Sequence, residues 1–425
     1  MAKTYETYKD SGIAWIGEIP SEWEVVRQKN VFTLGKELIG DNWATTQLLS
    51  LTTKGIKCIS IGNTSGKVPD SYNTYQTVKP NNLVMCLFDL DCSAVFSGIS
   101  SCSGMISPAY KVLTVNEGAD PRYYSFWFDF IFDGRKYMYL SKNIRYSLTY
   151  DEFAALGIVY PSLSDQRSIA CFLDTKCGEI DALISLQEEM ISELQAYKQS
   201  VITEAVTKGL NPHAKMKDSG VEWIGEIPEH WKVDKIFRVF KNIGSGTTPK
   251  ATEDNNFKGD INWVQSGDIN GGVLHSCKNK ISQDVLHKYS ALKVYKAPFI
   301  IVAMYGASVG NISVSKIDGC VNQACCVMSN SNHYLDYLFY TIKSAKDYLI
   351  YRAEGGGQPN ISQDKLKNLW LPCPPLHEQH SIATYLDEKT SQIDSLISLK
   401  QEKIEELKDY KKSIIYEYVT GKKRV

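Results

Sequence analysis

One stretch near the middle of the chain, residues 161–209, restricts the possible folds more than any other. Apolar side chains recur along it at helical spacing, with acids and amides between them: Ile169, Leu173, Ile180, Leu183, Ile184, Met190, Ile191, Leu194, Tyr197 and Val201. No proline interrupts it, and Gly209 with Pro212 marks the end. We therefore predict one helix of roughly 65 Å. Its apolar seam is too narrow for full burial, so the helix needs one partner helix.

The chain itself contains that partner helix, because a similar sequence recurs near its end, at residues 374–422. Ile180–Asp181 recurs as Ile393–Asp394, and Tyr197–Lys198 recurs as Tyr410–Lys411. A second motif, KDSGIAWIGEIPSEWEV at residues 9–25, recurs as KDSGVEWIGEIPEHWKV at residues 217–233. The chain is therefore two copies of one unit, each made of a signature, a globular region and a long helix.

The globular regions, residues 24–160 and 232–374, both have a mixed α+β pattern. Segments with strand-type alternation are separated by turn formers, and FAALGIVYP is predicted as the last strand of the first region. The aromatic stretch from Arg122 to Leu140 is predicted to be a helix whose rings fill the core.

Composition excludes several classes of protein. No apolar run reaches the roughly 18 residues of a membrane span, and the start has no signal-peptide pattern, so we expect a cytoplasmic protein. The cysteines show no CxxC pair and no zinc-ligand spacing, which predicts reduced thiols and no metal site. No glycine-rich phosphate loop, HExxH pattern or nucleophile–base spacing is present, so we expect no catalytic activity.

Charge alone leaves two interpretations open. The second globular region has an excess of Lys and Arg, whereas the first long helix is acidic. A basic region permits DNA binding, but a solvated charged face explains the same composition equally well.

The motifs carry a resemblance to a known family. The chain resembles the specificity subunit of a type I restriction–modification system in four features: the KDSGxxWIGEIPxxW signature, the PPLxEQxxIAxxL entry to a helix that continues as DxLI, the GSGTTP and GQPNIS loops, and the duplication of the whole unit. The first helix departs from the family pattern, because Ser162 and Asp165 stand where the second copy has Pro375 and Glu378.

The resemblance implies two α+β target-recognition domains separated by two long antiparallel helices that form a coiled coil, with a pseudo-twofold internal repeat. Residues 1–160 would be the first recognition domain with its signature, 161–212 the central helix, 213–373 the second recognition domain and 374–425 the C-terminal helix. Each domain would read one half of a split double-stranded DNA target, and the helical spacer would set the gap between the halves.

The resemblance also implies partners. Methyltransferase subunits, expected in two copies, and restriction subunits would carry S-adenosylmethionine, ATP and Mg, while this chain would bind no cofactor and no metal. The candidate residues for partner binding are Trp15, Trp23, Trp223, Trp231, Glu188, Lys198, Lys403 and Lys411.

Polar and basic loop residues are expected to contact DNA, since Arg reads guanine, Asn and Gln read adenine, and Lys binds phosphates. In the first domain the candidates are Lys67, Tyr72, Asn73, Tyr75, Asn143, Arg145 and Tyr146. In the second they are Ser245, Thr247, Thr248, Lys250, Ser266, Asp268, Asn270, Tyr305, Ser308, Asn311, Gln358 and Asn360.

A second hypothesis rests on the helices alone: a non-catalytic coiled-coil scaffold without sequence-specific DNA binding. Gel-shift competition separates the two hypotheses, since a scaffold has no preference among DNA sequences.

If Arg145 reads a base edge, Arg145→Ala should weaken DNA binding and relax one base position by about 1–3 kcal/mol. Binding to a set of single-base variants of the target measures both effects. Unchanged affinity together with an unchanged base preference would exclude this role for Arg145.

Overall fold

A computed structural model describes residues 4–60, 71–141, 144, 146–250, 257–306, 308–352 and 360–425. The chain divides into two compact units. The first unit comprises Met1–Glu188 and Gln401–Val425, and the second comprises Glu189–Lys400. Both contain helices and strands, which confirms the predicted α+β class. Each unit also contains part of both long helices.

In the described part of the first unit the strands are β1 (Tyr8–Asp10), β2 (Glu18–Pro20), β3 (Glu24–Arg27), β4 (Phe32–Leu34), β5 (Leu48–Thr52), β6 (Gly55–Ile59), β7 (Gln76–Val78), β8 (Leu83–Met85), β9 (Ser97–Ile99), β10 (Gly104–Ile106), β11 (Lys111–Val115) and β12 (Gly157–Tyr160). The helices are α1 (Pro121–Asp133), α2 (Tyr150–Ala155) and the long α3 (Leu163–Lys208). The strands form two four-stranded sheets, β6-β5-β10-β7 and β4-β11-β8-β9, and two small sheets, β1-β2 and β12-β3.

The first unit is built around the aromatic helix α1. Tyr123, Tyr124, Trp127 and Phe128 are fully buried and pack with Phe32 of β4, so the predicted core helix is confirmed as far as Asp133. Its predicted continuation to Leu140 is instead a separate 3-10 helix, Lys136–Leu140. The prediction that FAALGIVYP is a single strand is wrong in its first half. Thr149 and Glu152 form a capping box that starts α2, and only Gly157–Tyr160 is a strand.

In the second unit the strands are β13 (Met216–Asp218), β14 (Glu226–Pro228), β15 (Lys232–Lys235), β16 (Phe240–Gly244), β17 (Ile261–Val264), β18 (Val273–Leu274), β19 (Asn279–Ile281), β20 (Phe299–Ala303), β21 (Ile312–Ser315), β22 (Cys320–Val321), β23 (Cys325–Ser331) and β24 (Trp370–Cys373). The helices are α4 (Ile236–Val239), α5 (Gln283–Lys288), α6 (Leu335–Ser344), α7 (Lys346–Tyr351), α8 (Gln363–Lys367) and the long α9 (Leu376–Val419). The main sheet has the order β16-β23-β20-β21-β18, with β19-β17-β22 beside it.

The long helices α3 and α9 have nearly the predicted bounds, and they pair antiparallel within each unit. In the first unit the rings of Phe172 and Tyr418 are 4.4 Å apart, and Lys411 bonds Asp181 at 2.7 Å. In the second unit Lys198 bonds Asp394 at 2.6 Å.

The two ion pairs are copies of each other. Asp181 corresponds to Asp394 in the repeat, and Lys198 corresponds to Lys411. Each helix therefore contributes the acid to one pair and the base to the other. This reciprocity is the pattern of an isologous interface between two copies of one surface.

A buried glutamine fastens the start of each long helix to the aromatic helix of its unit. Gln166 Oε1 accepts a hydrogen bond from Asp120 N at 2.8 Å, and Gln166 Nε2 donates to Pro161 O at 2.8 Å. Gln379 makes the equivalent bonds to Tyr334 N and to Pro374 O, at 2.8 and 2.7 Å. Asp120 and Tyr334 are the residues that precede α1 and α6.

A tyrosine on each aromatic helix binds the end of the other long helix. The Tyr123 hydroxyl donates to Val419 O at 2.8 Å, and the Tyr337 hydroxyl lies 3.2 Å from Val206 O. Each unit therefore holds the start of one long helix and the end of the other at its aromatic helix.

The signature tryptophans close the same junctions. Trp23 and Trp231 are fully buried, against Gly421 and Gly209 respectively. Both glycines have positive φ, and a Cβ atom would lie 2.9 Å from the indole at Gly421 and 3.0 Å from it at Gly209. Glycine is therefore required where each helix ends.

The two tryptophans differ in one hydrogen bond. Trp231 Nε1 donates to Glu378 Oε2 at 2.9 Å, whereas within the described residues the buried Trp23 Nε1 has no acceptor. Asp165 occupies the position of Glu378 in the repeat and is one methylene shorter.

A search of the described residues finds no helix that is both long and apolar enough to span a membrane.

The missing bond predicts a reciprocal effect of exchanging the two acids. Asp165→Glu should raise the free energy of unfolding by about 0.5–1.5 kcal/mol, because it supplies a hydrogen-bond acceptor to a buried N–H group. Glu378→Asp is the matched variant and should lower stability by a similar amount. Denaturant unfolding followed by tryptophan fluorescence measures both. Equal stability of all three proteins would show that the side-chain length at this position does not matter.

Candidate nucleic-acid interface

The glycine- and hydroxyl-rich loop after β16 lies directly against the turn between β22 and β23. The Ser245 hydroxyl donates to Cys325 O at 2.8 Å, and a Cβ on Gly246 would lie only 1.8 Å from Val321 O. Only glycine fits this approach. The contact brings the Thr248 hydroxyl to Gln323 Oε1, to which it donates a hydrogen bond.

Two further loops continue this edge of the second unit. Met304 N donates to Ala324 O, and Ile361 N donates to Met304 O, both at 2.7 Å. These bonds join the segments that contain Tyr305 and Asn360 to the segment that contains Gln323. We call the set Ser245–Thr248, Asn322–Ala324, Met304–Tyr305 and Asn360–Ile361 the loop edge. It assembles five of the sequence-predicted DNA candidates: Ser245, Thr247, Thr248, Tyr305 and Asn360.

The turn between β20 and β21 brings three more candidates next to Tyr305. Asn311 N donates to Ser308 O at 2.9 Å, and Asn311 Nδ2 donates to Ile269 O at 3.3 Å, beside Asn270. Lys346 Nζ donates to Asn311 Oδ1 at 2.8 Å. The amide of Asn311 is therefore held between a backbone carbonyl and a cation.

Other candidates in this unit have structural partners. The Asp268 carboxylate accepts from Gln265 N at 2.9 Å and closes the short turn that contains Ser266. Thr247 O accepts from Trp263 Nε1 at 3.2 Å. Lys250 is exposed at the end of the glycine-rich loop, where its backbone N–H donates to the Tyr289 hydroxyl at 3.1 Å.

The first unit groups its aromatic candidates differently. Tyr72 is buried, with its ring 5.6 Å from Trp43 and 4.8 Å from Tyr75. A direct contact of Tyr72 with DNA is therefore not supported, because its side chain is core. Asn73 is exposed and Tyr75 is partly exposed. Tyr146 is also exposed, at positive φ, and its carbonyl accepts from Leu90 N at 2.9 Å.

Four DNA candidates lie outside the described residues: Lys67, Asn143, Arg145 and Gln358.

The partner candidates fall into three groups. Glu188 and Lys403 are exposed, and Trp15 and Trp223 are partly buried. Lys198 and Lys411 form the ion pairs between α3 and α9. The prediction that Trp23 and Trp231 bind a partner is wrong for their side chains, because both are 0% exposed and lie in the core.

Sequence reasoning missed Gln323 and Lys346. Gln323 lies in CVNQACCVM, which reads as one strand, but Asn322 Oδ1 accepts from Ala324 N at 3.1 Å and makes a turn there. The Asn side chain was the available signal for that turn. Lys346 follows α6, and its contact with Asn311 depends on the tertiary fold.

The two aromatic helices carry opposite charges at one equivalent position, beside the Lys–Asp pair of their unit. In the second unit burial lowers the pKa of Lys343 to about 8, with Lys198 acting in the same direction and Asp394 against it. In the first unit desolvation raises the pKa of Asp129 to about 7, against the effect of Lys411, although part of the side chain faces an open cleft. The second unit is thus the more basic one at this position.

Within the described ranges, no cluster of three or more His, Cys, Asp or Glu side chains could hold a metal ion.

Comparisons with known proteins agree on one kind of relative. Residues 228–409, which include the loop edge, match the family model described as type I restriction modification DNA specificity domain. The chain is 28% identical over 284 residues to the type I restriction enzyme MjaVIII specificity subunit of Methanocaldococcus jannaschii, and 25% identical over 250 residues to the EcoBI specificity subunit of Escherichia coli. The chain is thus similar, over much of its length, to type I restriction–modification specificity subunits.

These matches cover 64% and 56% of the chain, and 63% and 52% of the relatives, which is less than two thirds of their length. The fold likeness extends further. A structure of a type I restriction–modification system covers 95% of this chain and 99% of its own, at a TM-score of 0.72 and 18% identity. The crystal structure of the HsdS subunit from Thermoanaerobacter tengcongensis covers 95% and 98%, at a TM-score of 0.51 and 18% identity. Both show that this chain shares their fold.

The lowered pKa of Lys343 predicts a dependence of stability on pH. Below about pH 8 the Lys343 amine of the folded protein is protonated, and burial of this charge lowers the stability of the folded state. This loss of stability is removed as the amine loses its proton. The unfolded amine stays protonated up to about pH 10.4. Between these values the wild type should therefore gain stability relative to Lys343→Met and Lys343→Arg, which do not titrate there. Thermal midpoints of the three proteins at pH 7, 8, 9 and 10 test this, and parallel curves would contradict it.

Proposed function

We propose that this chain is the DNA sequence-recognition subunit of a type I restriction–modification complex and that each unit reads one half of a bipartite target. The observation that carries the proposal is the loop edge of the second unit. It assembles amide, hydroxyl and phenol groups from separate loops, and it lies within the residues that match the DNA specificity domain.

The loop edge has the chemistry to read bases. Gln and Asn amides match the donor and acceptor pair on adenine in the major groove. At Gln323 the amide is already oriented, because Oε1 accepts from Thr248 and the Nε2 hydrogens are directed away from that bond. An oriented amide loses less side-chain freedom on binding than a mobile one. The exposed Lys250 adjoins this loop and suits a phosphate contact.

The long helices are proposed as the spacer between the two half-sites. An antiparallel pair of helices is stiffer than a flexible linker, so it accepts only half-sites at a matching separation. On this proposal residues 1–160 and 213–373 are the reading domains, and 161–212 and 374–425 are the spacer helices.

The chain is proposed to direct partners that perform the chemistry. A methyltransferase subunit would dock on the outer faces of α3 and α9, where Glu188 and Lys403 are exposed, and near the partly buried Trp15 and Trp223. The repeat offers related surfaces twice, which suits two methyltransferase copies. S-adenosylmethionine, ATP and Mg would bind to the methyltransferase and restriction partners, and this chain would be non-catalytic.

A coiled-coil scaffold without sequence preference is the competing proposal. The helices fit it equally well, but it gives no reason for Thr248 to orient the amide of Gln323, or for Lys346 to orient the amide of Asn311. The two proposals differ in whether methylation by the assembled complex depends on sequence.

Mapping methylated bases in DNA treated with this chain and its methyltransferase partner tests the proposal. We expect a split target with a constant gap. Adding four residues to each long helix, after Glu188 and after Lys400, lengthens the helices by about 6 Å, which should widen the gap by one to two base pairs at about 3.4 Å each, without changing the half-sites.

Two controls accompany the insertion variant. Four residues added to only one helix should disrupt the helix pair and reduce methylation. Methylation without sequence preference would favour the scaffold, and an unchanged gap in the variant with both helices lengthened would exclude the helices as the spacer.

A further inference from the structure

Two cysteines at the surface of the first unit have their sulfur atoms in contact. Cys58 Sγ and Cys102 Sγ are 3.3 Å apart although the residues are 44 positions apart in sequence. Cys58 is exposed and Cys102 is partly exposed, and both are free thiols. Small oxidants therefore reach this pair, in contrast to Cys325 and Cys326, which are fully buried.

The backbone holds both cysteines against one strand, β5. Cys58 lies opposite Leu49 in the antiparallel pair of β5 and β6. On the other side of β5, Met105 of β10 pairs with Leu48, and a Cβ on Gly104 would lie 2.5 Å from Gln47 O. The connection from β9 to β10, which carries Cys102, is thereby pressed close to this strand.

The buried Ser100 fixes the backbone at Cys102. Its hydroxyl donates to Cys102 O at 2.7 Å and accepts from Cys102 N at 3.4 Å. The backbone of Ser100 is fixed as well, because its N–H donates to Asn82 O at 2.9 Å and its carbonyl accepts from Asn81 N at 2.8 Å. The contact between the sulfurs is therefore supported on both sides by ordered backbone.

We propose that Cys58 and Cys102 form an oxidisable dithiol site, which a hydroperoxide converts to a disulfide that bridges β6 and the β9–β10 connection. The sulfurs need to approach by about 1.3 Å to reach the S–S bond length of roughly 2.05 Å. Rotation of two surface side chains supplies a movement of this size. This modification site goes beyond the proposed reading of DNA.

The reaction balances with one molecule of hydroperoxide. The thiolate of Cys58, the more exposed residue, attacks a peroxide oxygen, the O–O bond breaks, and Cys58 becomes a sulfenic acid. The Cys102 sulfur then attacks the Cys58 sulfur and displaces the hydroxyl group, which leaves as water after taking up a proton. The two thiols lose two electrons, which the peroxide gains, and with hydrogen peroxide the products are one disulfide and two water molecules.

The same contact makes the reaction depend on pH. The hydrogen bond with Cys102 raises the pKa of the Cys58 thiol above its usual value, with a further contribution from desolvation. Because the thiolate is the nucleophile, the rate should rise as the pH increases through the neutral and alkaline range.

The disulfide would join β6, an edge strand of the sheet β6-β5-β10-β7, to the connection that leads into its interior strand β10. Strand β7 of this sheet follows the segment with Tyr72 and Tyr75. Oxidation therefore makes this sheet more rigid while leaving the second unit unmodified, and it should raise the thermal midpoint of the first unit.

Peptide mapping of the full-length chain tests the site. The protein is treated with hydrogen peroxide, the remaining thiols are blocked with an alkylating reagent, and the digest is analysed by mass spectrometry without reduction. We expect a linked Cys58–Cys102 peptide as the main product, formed at a rate independent of protein concentration and reversed by dithiothreitol.

Three variants separate this pair from general oxidation. Cys58→Ser and Cys102→Ser should each abolish the linked peptide, and Cys102→Ser should leave a sulfenic acid at Cys58 that dimedone traps. Cys92→Ser is the matched control, because Cys92 is an exposed cysteine of the same unit, and it should leave the linkage unchanged.

The wild-type map decides the outcome even if a serine variant folds poorly. Products that link Cys58 to a cysteine other than Cys102, disulfides only between chains, or two thiols that remain reduced while Cys92 is oxidised would each overturn the proposal.

Discussion

The structure depends on one buried polar contact at the start of each long helix. A helix start leaves backbone N–H groups without partners, and a buried amide side chain must satisfy its own groups as well. Gln166 and Gln379 have two hydrogen bonds of their side-chain amides in common. One is to a backbone carbonyl just before the long helix, and the other is to the backbone N–H of the residue that precedes the aromatic helix. Because the aromatic helix also holds the end of the other long helix through Tyr123 or Tyr337, the glutamine sets the position of α3, α9 and the globular part of each unit together. Removing the amide would leave buried backbone groups unpaired, so this position accepts few other side chains.

The repeat keeps these junctions and changes the surfaces around them. Glutamine, tyrosine, tryptophan and glycine recur at equivalent places in the core, whereas Asp129 corresponds to Lys343 and Gly157 corresponds to Trp370. The recurring positions are restricted by packing and by hydrogen bonds between buried groups, and the positions that differ lie outside these junctions. A duplicated framework of this kind can carry two unlike surfaces, which the proposed bipartite DNA target would require.

The sequence predicted those parts of the fold that show a helical periodicity of apolar residues or that occur twice in the chain. The long helices, their partnership and the aromatic core helix follow from apolar spacing and from the repeat. The long helices lie within a few residues of their predicted bounds, whereas the aromatic helix ends at Asp133, seven residues before the predicted end. The structure differs from the predicted strands in two places because of local hydrogen bonds. The capping box of Thr149 and Glu152 starts a helix where a strand was predicted, and the Asn322 side chain forms a turn that divides another predicted strand into two.

The burial of individual side chains could not be predicted from the single sequence. Tyr72, Trp23 and Trp231 have residue types typical of interfaces, yet they lie in the core, because an aromatic ring serves either place and only tertiary packing decides. The loop edge could be named residue by residue but not assembled, since Gln323 meets Thr248 only after strands distant in sequence have paired.

The reciprocal ion pairs between α3 and α9 contribute little to stability, and their main effect is to favour one register of the two helices. Exposed Lys–Asp pairs contribute about 0–1 kcal/mol, and both aspartates here are more than half exposed. The apolar seam supplies most of the attraction between the helices, but a narrow seam of Ile and Leu is tolerant of a shift by one turn. A shift of one turn would separate Lys198 from Asp394 and Lys411 from Asp181 at the same time, because the repeat places both pairs on one antiparallel register. A single register is also what the proposed role of these helices as a spacer requires.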